Sequence, residues 1–217
     1  VVTLFHEFGH GLHHMLTEVK VLGVSGINGV SWDAVELPSQ ILENWCWQES
    51  ALGFISQHYQ TGAALPPSLL TQLLAAKNFQ AGLFLVRQLE FALFDFELHQ
   101  GFDRDASYHQ IQATLDRIRT RCAVTPLAAF NRFQHSFSHV FAGGYGAGYY
   151  SYLWAEVLAA DAFSKFLEEG IFNAATGAAF RACILAKGGS EPAAKLFADF
   201  CGRAPDINAL LASYGLS

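Results

Sequence analysis

Apolar residues recur at helical spacing along most of this chain, and that period sets the first expectation. Leu4, Phe5, Phe8, Leu12, Met15 and Leu16 fall on one side of a 3.6-residue repeat, which predicts a helix over 2–19. The stretch VLGVSGINGVSWD, 21–33, interrupts the period with glycines and β-branched residues and reads as a loop or one short hairpin. Asp33 and Glu36 have capping-box spacing, so a long helix is expected from there through Tyr59, its start blurred by Pro38. Pro66-Pro67 ends it. Helices are then predicted over 68–77, 79–99, 105–121 and 127–140. A glycine-tyrosine stretch, FAGGYGAGYYSYLW at 141–154, leads into a helix over 149–169 that Gly170 should stop. Shorter helices are predicted over 174–186, 192–199 and 206–213. The chain reads as all-α or nearly so, without repeats, low-complexity tracts or linkers: one domain, or one compact part of one.

Composition changes that picture in one respect. Hydrophobic residues make up 52% and charged residues only 15%, against roughly 25% charged in an ordinary soluble domain. Either the core is unusually large or part of the surface is normally covered. The first residue is Val, and chemically loaded residues begin at position 6. The expectation is therefore a C-terminal piece of a longer protein, with apolar surface left open. A net charge of −6 and the lack of any Lys/Arg run exclude a phosphate-neutralising nucleic-acid surface. The four cysteines form no CxxC pair, which favours reduced thiols in the cytoplasm. Apolar runs are broken before about 18 residues, so no membrane span is expected.

The strongest chemical signal is His6-Glu7-Phe8-Gly9-His10, an HExxH on the first predicted helix. A spacing of four puts His6 and His10 on one face, one turn apart, where both imidazoles can reach a single Zn²⁺. Glu7 falls beside that face, placed to work on a water at the metal rather than to bind the metal. Gly9 permits close approach of another backbone. A third ligand must come from downstream, and Glu36, Glu43, Glu49 and His58 are the candidates. Glu43, seven residues after Glu36, could also accept from a ligand imidazole. His13 and His14 are less suited, since His14 lies about 12 Å along the helix from His6.

Gly144-Tyr145-Gly146 with Gly148 has the look of a phosphate loop. Such a loop should follow a strand and open a helix, with a Lys in the P-loop case. Here the preceding residues read as helix and no such Lys follows, so a nucleotide site is set aside.

Taken together, HEFGH, GVSGINGVSWD, VELPSQILENWCW, AAKNFQAGLFLVRQLEFALFDFELH, HSFSHVFAGGYGAGYYSYLWAEVLAADAF and KGGSEP resemble the thimet-oligopeptidase-like zinc metallopeptidases over essentially all 217 residues. The resemblance implies a helical zincin-type catalytic domain of which 1–217 is the C-terminal part. The missing N-terminal half would form the opposite wall of a substrate channel. It implies one Zn²⁺ per chain held by His6, His10 and Glu36, with Glu7 as general base. The family's substrate-contacting segment corresponds to His139, Gly143, Gly144, Tyr145, Tyr149 and Tyr152. One of its tyrosines polarises the scissile carbonyl. By position that is Tyr152, with Tyr145 next, and His139 holds the peptide backbone or serves the same oxyanion. The expected activity is cleavage of short oligopeptides by a cytoplasmic endopeptidase, with no nucleic-acid or membrane partner. The alternatives are a dipeptidyl carboxypeptidase of the same family and a catalytically incomplete zinc-binding helical module.

Overall fold

The computed structural model describes residues 1–105 and 108–216, and helices dominate them. Helix α1, Val2–Met15, is shorter than the period suggests because Leu16 closes the last turn onto the carbonyl of Leu12 and the chain then extends, Glu18 donating to Ala186. No hairpin forms over 21–33. Leu22–Val24 is a 3₁₀ turn and the following glycines carry the chain through further turns, Gly26 at φ +62°.

The single long helix expected through Tyr59 is instead three short ones. These are α2 (Trp32–Val35), α3 (Leu37–Glu43) and α4 (Glu49–Ile55), with a 3₁₀ turn over Asn44–Trp47 between the last two. Pro38 explains the first break. It lacks an amide proton and sits in the opening turn of α3, where none is needed, so α2 must end before it. Gln48, extended at φ −97° and ψ 127°, makes the second. The predicted capping box does not form. Glu36 closes α2 and opens α3, which frees its carboxylate for another partner.

Two compact units are distinguished, Val1–Phe79 with Trp154–Ser217, and Gln80–Leu153. The first contains α1–α4, α5 (Pro67–Lys77), most of α9 (Ser151–Glu169), α10 (Ala174–Cys183), α11 (Ala193–Cys201) and α12 (Asn208–Ser213). Its core is built from Ile41, Phe163, Phe166, Phe180, Phe197 and Phe200, with Leu12 and Leu16 of α1 packed on it. Trp45 packs on this core, standing edge-on to Phe163 and Phe166 at 4.7 and 5.1 Å between ring centres. Gly170, at φ +107°, stops α9 as expected.

Gly9 makes the contact that matters most for the site. A methyl group there would lie 2.3 Å from the Pro38 carbonyl oxygen and 2.5 Å from Ser39 Cα. The backbones of α1 and α3 therefore touch at this point, and only glycine allows it.

The second unit pairs α6 (Ala81–Gly101) with α7 (His109–Cys122) over a core of Phe94, Leu98, Leu115, Phe137 and Val140. The first residues of the helix predicted over 105–121 include 106 and 107, which lie outside the described residues. The helix predicted over 127–140 is not present. Only a 3₁₀ turn, Phe133–Ser136, and the short α8, Ser138–Phe141, form there. Arg132 donates to the carbonyls of Ala129 and Asn131, and Asn131 accepts from the Phe133 amide, so side chains take up backbone groups that a helix would have paired.

By length and composition alone, one stretch among the described residues, Pro67–Gly101, is apolar enough to cross a membrane. It is divided into α5 and α6 at Gln80, which adopts the left-handed region at φ 56°. Within α6, Glu90 is buried and ion-paired to Arg87 and Arg119 at 2.6 and 3.0 Å. Large hydrophobic side chains also stand open to solvent, among them Leu4 and Phe8 on α1, Phe54, Phe79 and Phe130.

Candidate functional site

The helical repeat of α1 puts the rings of His6 and His10 5.0 Å apart, nearly perpendicular. The Gly9 contact lays the start of α3 across them and brings up Glu36, only 4% exposed. Its Oε2 lies 3.3 Å from His6 Nε2 and 3.0 Å from His10 Nε2. Among the described residues, these three are the group whose donor atoms all fall within 4.8 Å of one another. Ser39 Oγ donates to the same carboxylate (3.0 Å) and to the Glu36 carbonyl (2.8 Å), which fixes the rotamer. Glu43, one face and two turns on, accepts from His6 Nδ1 at 2.6 Å. That bond turns Nε2 of His6 toward Glu36.

The charges reinforce each other. Hydrogen bonds to Glu36 and then Glu43 raise the His6 imidazole to about 10, against the effect of burial. Burial alone would push Glu36 up, but the hydrogen bonds from His10 and His6 outweigh it and hold the carboxylate well below its usual range. Glu7 is exposed on α1 beside this group and takes no part in it. Glu49 and His58 are also outside it. Glu49 is exposed at the start of α4, and His58 Nδ1 accepts from the Gln60 and Thr61 amides.

His13 and His14 do not join the group. His13 is 2% exposed, its ring nitrogens meet no hydrogen-bond partner among the described residues, and burial lowers it to about 4, so it is neutral. His14 is exposed and packs on Gly26, whose missing Cβ leaves room for the ring.

The second unit gathers the predicted aromatic residues. The His139 ring is surrounded by Tyr145, Tyr149 and Tyr152 at 6.0, 5.8 and 5.9 Å between centres. Tyr145 and Tyr152 stack at 4.9 Å with planes 25° apart. Tyr149 has a polar partner on α6. Its hydroxyl donates to Gln88 Oε1 at 2.9 Å, and burial first, then Tyr152, pushes it up to about 12. Tyr149 also lies before α9, not inside it. The glycines have a backbone reason of their own. A Cβ at Gly143 would crowd His139 at 3.0 Å, and Gly144 turns at φ +84°. Ala147 takes the left-handed region at φ +55°, a conformation costing an L-residue roughly 1–2 kcal/mol.

Three residues that build this cluster are not among the predicted site residues, although they lie in the segment AAKNFQAGLFLVRQLEFALFDFELH that carries part of the resemblance. Asp95 accepts from the amides of Ala147 and Tyr149, Gln88 holds the Tyr149 hydroxyl, and His99 packs beneath Gly146. The signal that could find them is polar residues at 88, 95 and 99, spaced seven and four apart and so on one face of an otherwise apolar helix.

The sequence pattern described as Peptidase family M3 matches residues 1–216. Oligopeptidase A of Escherichia coli (strain K12) is 62% identical over 216 residues, covering 100% of this chain and 32% of the relative. The probable cytosolic oligopeptidase A of Arabidopsis thaliana is 48% identical over 220 residues, again covering 100% of this chain and 31% of the relative. The dipeptidyl carboxypeptidase of Escherichia coli (strain K12) is 36% identical, with 100% and 32% covered. The chain thus spans about a third of the length of these relatives. HEFGH and the Glu36 segment lie within a match that runs almost from end to end, and on it the chain belongs to peptidase family M3.

Proposed function

We propose that this chain carries the zinc site of a metalloendopeptidase that hydrolyses short oligopeptides. The observation carrying the proposal is the convergence of two imidazole nitrogens and one buried carboxylate oxygen beside an exposed glutamate. A tetrahedral zinc site with arms of 2.0–2.1 Å has donor–donor edges of roughly 3.3–3.4 Å. Separations of 3.3 and 3.0 Å from Glu36 Oε2 to His6 and His10 are close to those edges. Two nitrogens and one oxygen are also the donor set of zinc hydrolases that keep a fourth position open. Glu43 on His6 Nδ1 is the kind of outer partner that fixes a ligating tautomer. His6, His10 and Glu36 would thus hold one Zn²⁺ per chain.

When bound, Zn²⁺ supplies Lewis-acid polarisation and lowers the pKa of water. The chain supplies the rest. The Glu7 carboxylate takes a proton from the attacking water and returns it to the departing amine nitrogen. A tyrosine hydroxyl, neutral and a donor at pH 7, donates to the oxygen that gains charge. We assign that role to Tyr152, with Tyr145 next, and give His139 the peptide backbone or the same oxygen. Tyr149, Gly143 and Gly144 are assigned to substrate contact, the glycines offering a peptide backbone an approach free of side chains.

The oligopeptidase reading is preferred to the dipeptidyl carboxypeptidase one because identity is 62% to the first named relative and 36% to the second. The further chain present in the relatives would supply the facing wall of the cleft. The free cysteines and the name of the Arabidopsis thaliana relative favour a cytosolic setting. No nucleic-acid or membrane partner is proposed.

The test is cleavage of internally quenched peptides with free and with amidated C-termini, by the complete zinc-loaded protein. Chelator-sensitive cleavage of both peptides supports an endopeptidase. Cleavage of the free form alone supports the dipeptidyl carboxypeptidase. If the complete protein cleaves and the 217 residues alone bind zinc without turnover, the chain is a catalytically incomplete part. Zinc-independent cleavage would contradict the proposal. Tyr152→Phe should lower kcat by about 10²–10³ with little change in zinc content. An unchanged rate would transfer the role to Tyr145.

A further inference from the structure

Asp95 has no role in the chemistry described above, yet it is among the most buried charged groups in the protein, at 1% exposure. It sits in the middle of α6, a helix otherwise rich in Leu and Phe. Each carboxylate oxygen is used separately. Oδ1 accepts from the amide of Ala147 at 2.8 Å, and Oδ2 from the amide of Tyr149 at 2.9 Å. These bonds to backbone span 52 and 54 residues of sequence, so they decide where the turn lies rather than stabilise a local element.

His99 completes the arrangement. Its Nδ1 lies 2.9 Å from Asp95 Oδ1 and 2.9 Å from the Asp95 carbonyl oxygen. The other edge of the same ring supports the turn, since a Cβ at Gly146 would meet His99 Nε2 at 3.0 Å. Between the two anchored amides, Ala147 is held at φ +55°, in a region an alanine rarely adopts unless its surroundings impose it. Seven residues before Asp95 on the same face, Gln88 takes the hydroxyl of Tyr149. The turn is thus fixed at its backbone by Asp95 and at its last side chain by Gln88.

We propose that Asp95 is a positioning residue for the catalytic tyrosines: its carboxylate clamps the 145–149 turn to α6 and so sets the directions of Tyr145 and Tyr152. This rests on the assignment of those tyrosines to the scissile carbonyl. The clamp converts a glycine-rich segment, which would otherwise sample many conformations, into one fixed display. In this arrangement the Tyr149 hydroxyl is engaged on Gln88 while its ring stays beside His139, and Tyr145 and Tyr152 stack on each other.

The experiment compares Asp95→Asn with the parent in the complete zinc-loaded protein. Asparagine keeps the shape and one acceptor but sets an NH₂ against the second backbone amide. Hydrogen exchange should show the Ala147 and Tyr149 amides losing protection by ten-fold or more, while zinc stays at one equivalent and α1 amides keep theirs. The value of kcat should fall ten-fold or more with KM changed less. The same substitution in a Tyr152→Phe background should cost less than three-fold, because the group being positioned is gone. Unchanged exchange at Ala147 and Tyr149 would overturn the clamp whatever the kinetics. Faster exchange with an undiminished kcat would overturn the positioning role. If Tyr152→Phe alone leaves kcat unchanged, the tyrosine assignment fails, and the exchange data still judge the clamp. Should Asp95→Asn not fold, Asp95→Glu is the second variant. It keeps the charge but displaces both oxygens by a methylene, so protection at Ala147 and Tyr149 should fall, and unaltered protection there would overturn the proposal.

Discussion

Glu7→Gln is expected to lower kcat by about 10²–10⁴ while leaving one Zn²⁺ bound, the range typical for loss of a general acid–base group. The two halves of that result come from different features. Zinc retention follows because Glu7 is outside the group formed by His6, His10 and Glu36, and faces solvent beside it. The loss of rate follows because glutamine has nearly the same shape but cannot accept a proton at neutral pH. Steady-state kinetics with a quenched peptide and metal analysis on the same samples check both halves. Retained activity would remove Glu7 from its role, and lost zinc would mean that it helps to hold the metal.

Gly9→Ala should be strongly damaging for the addition of a single methyl. The new carbon would lie 2.3 Å from the Pro38 carbonyl oxygen, and both groups belong to backbone, so neither can rotate away. Helices α1 and α3 must separate, at a cost in the range of about 1–3 kcal/mol or more for overpacking a tight contact. That separation acts on the site as well, because Glu36 opens α3 and its Oε2 is only 3.0 Å from His10. Zinc affinity should drop by roughly 10–100-fold, the range seen when supports of metal ligands are disturbed. Thermal unfolding and zinc titration of the variant read the two effects. A normal melting temperature with normal zinc affinity would show that the contact is not what sets the spacing of the ligands.

Part of this site is legible in the residues alone. The shared face of His6 and His10, with Glu7 beside it, follows from the helical repeat, because spacing of four residues dictates it. The stop at Gly170 is similarly local. By pattern Glu36 is only one of several downstream candidates, and the family resemblance singles it out. What brings it to His6 and His10 is the backbone contact at Gly9, which periodicity does not encode. The breaks at Pro38 and Gln48 escape a reading by period because apolar spacing continues through them, although the helical backbone does not. The absent helix at 127–140 fails for another reason. Arg132 and Asn131 bind backbone groups that helix formation needs, and their side chains carry that information without any apolar period. The shared face of Gln88, Asp95 and His99 marks Asp95 as unusual, but an aspartate in a helix gives no sign that its partners lie 52 and 54 residues away.

The central claim is that His6, His10 and Glu36 form one zinc site, and calorimetric zinc titration tests it most directly. The parent chain should bind one Zn²⁺, and Glu36→Gln and His10→Ala should each abolish that binding while the protein stays helical. Failure of the parent chain to bind zinc, or binding that survives either substitution, would contradict it.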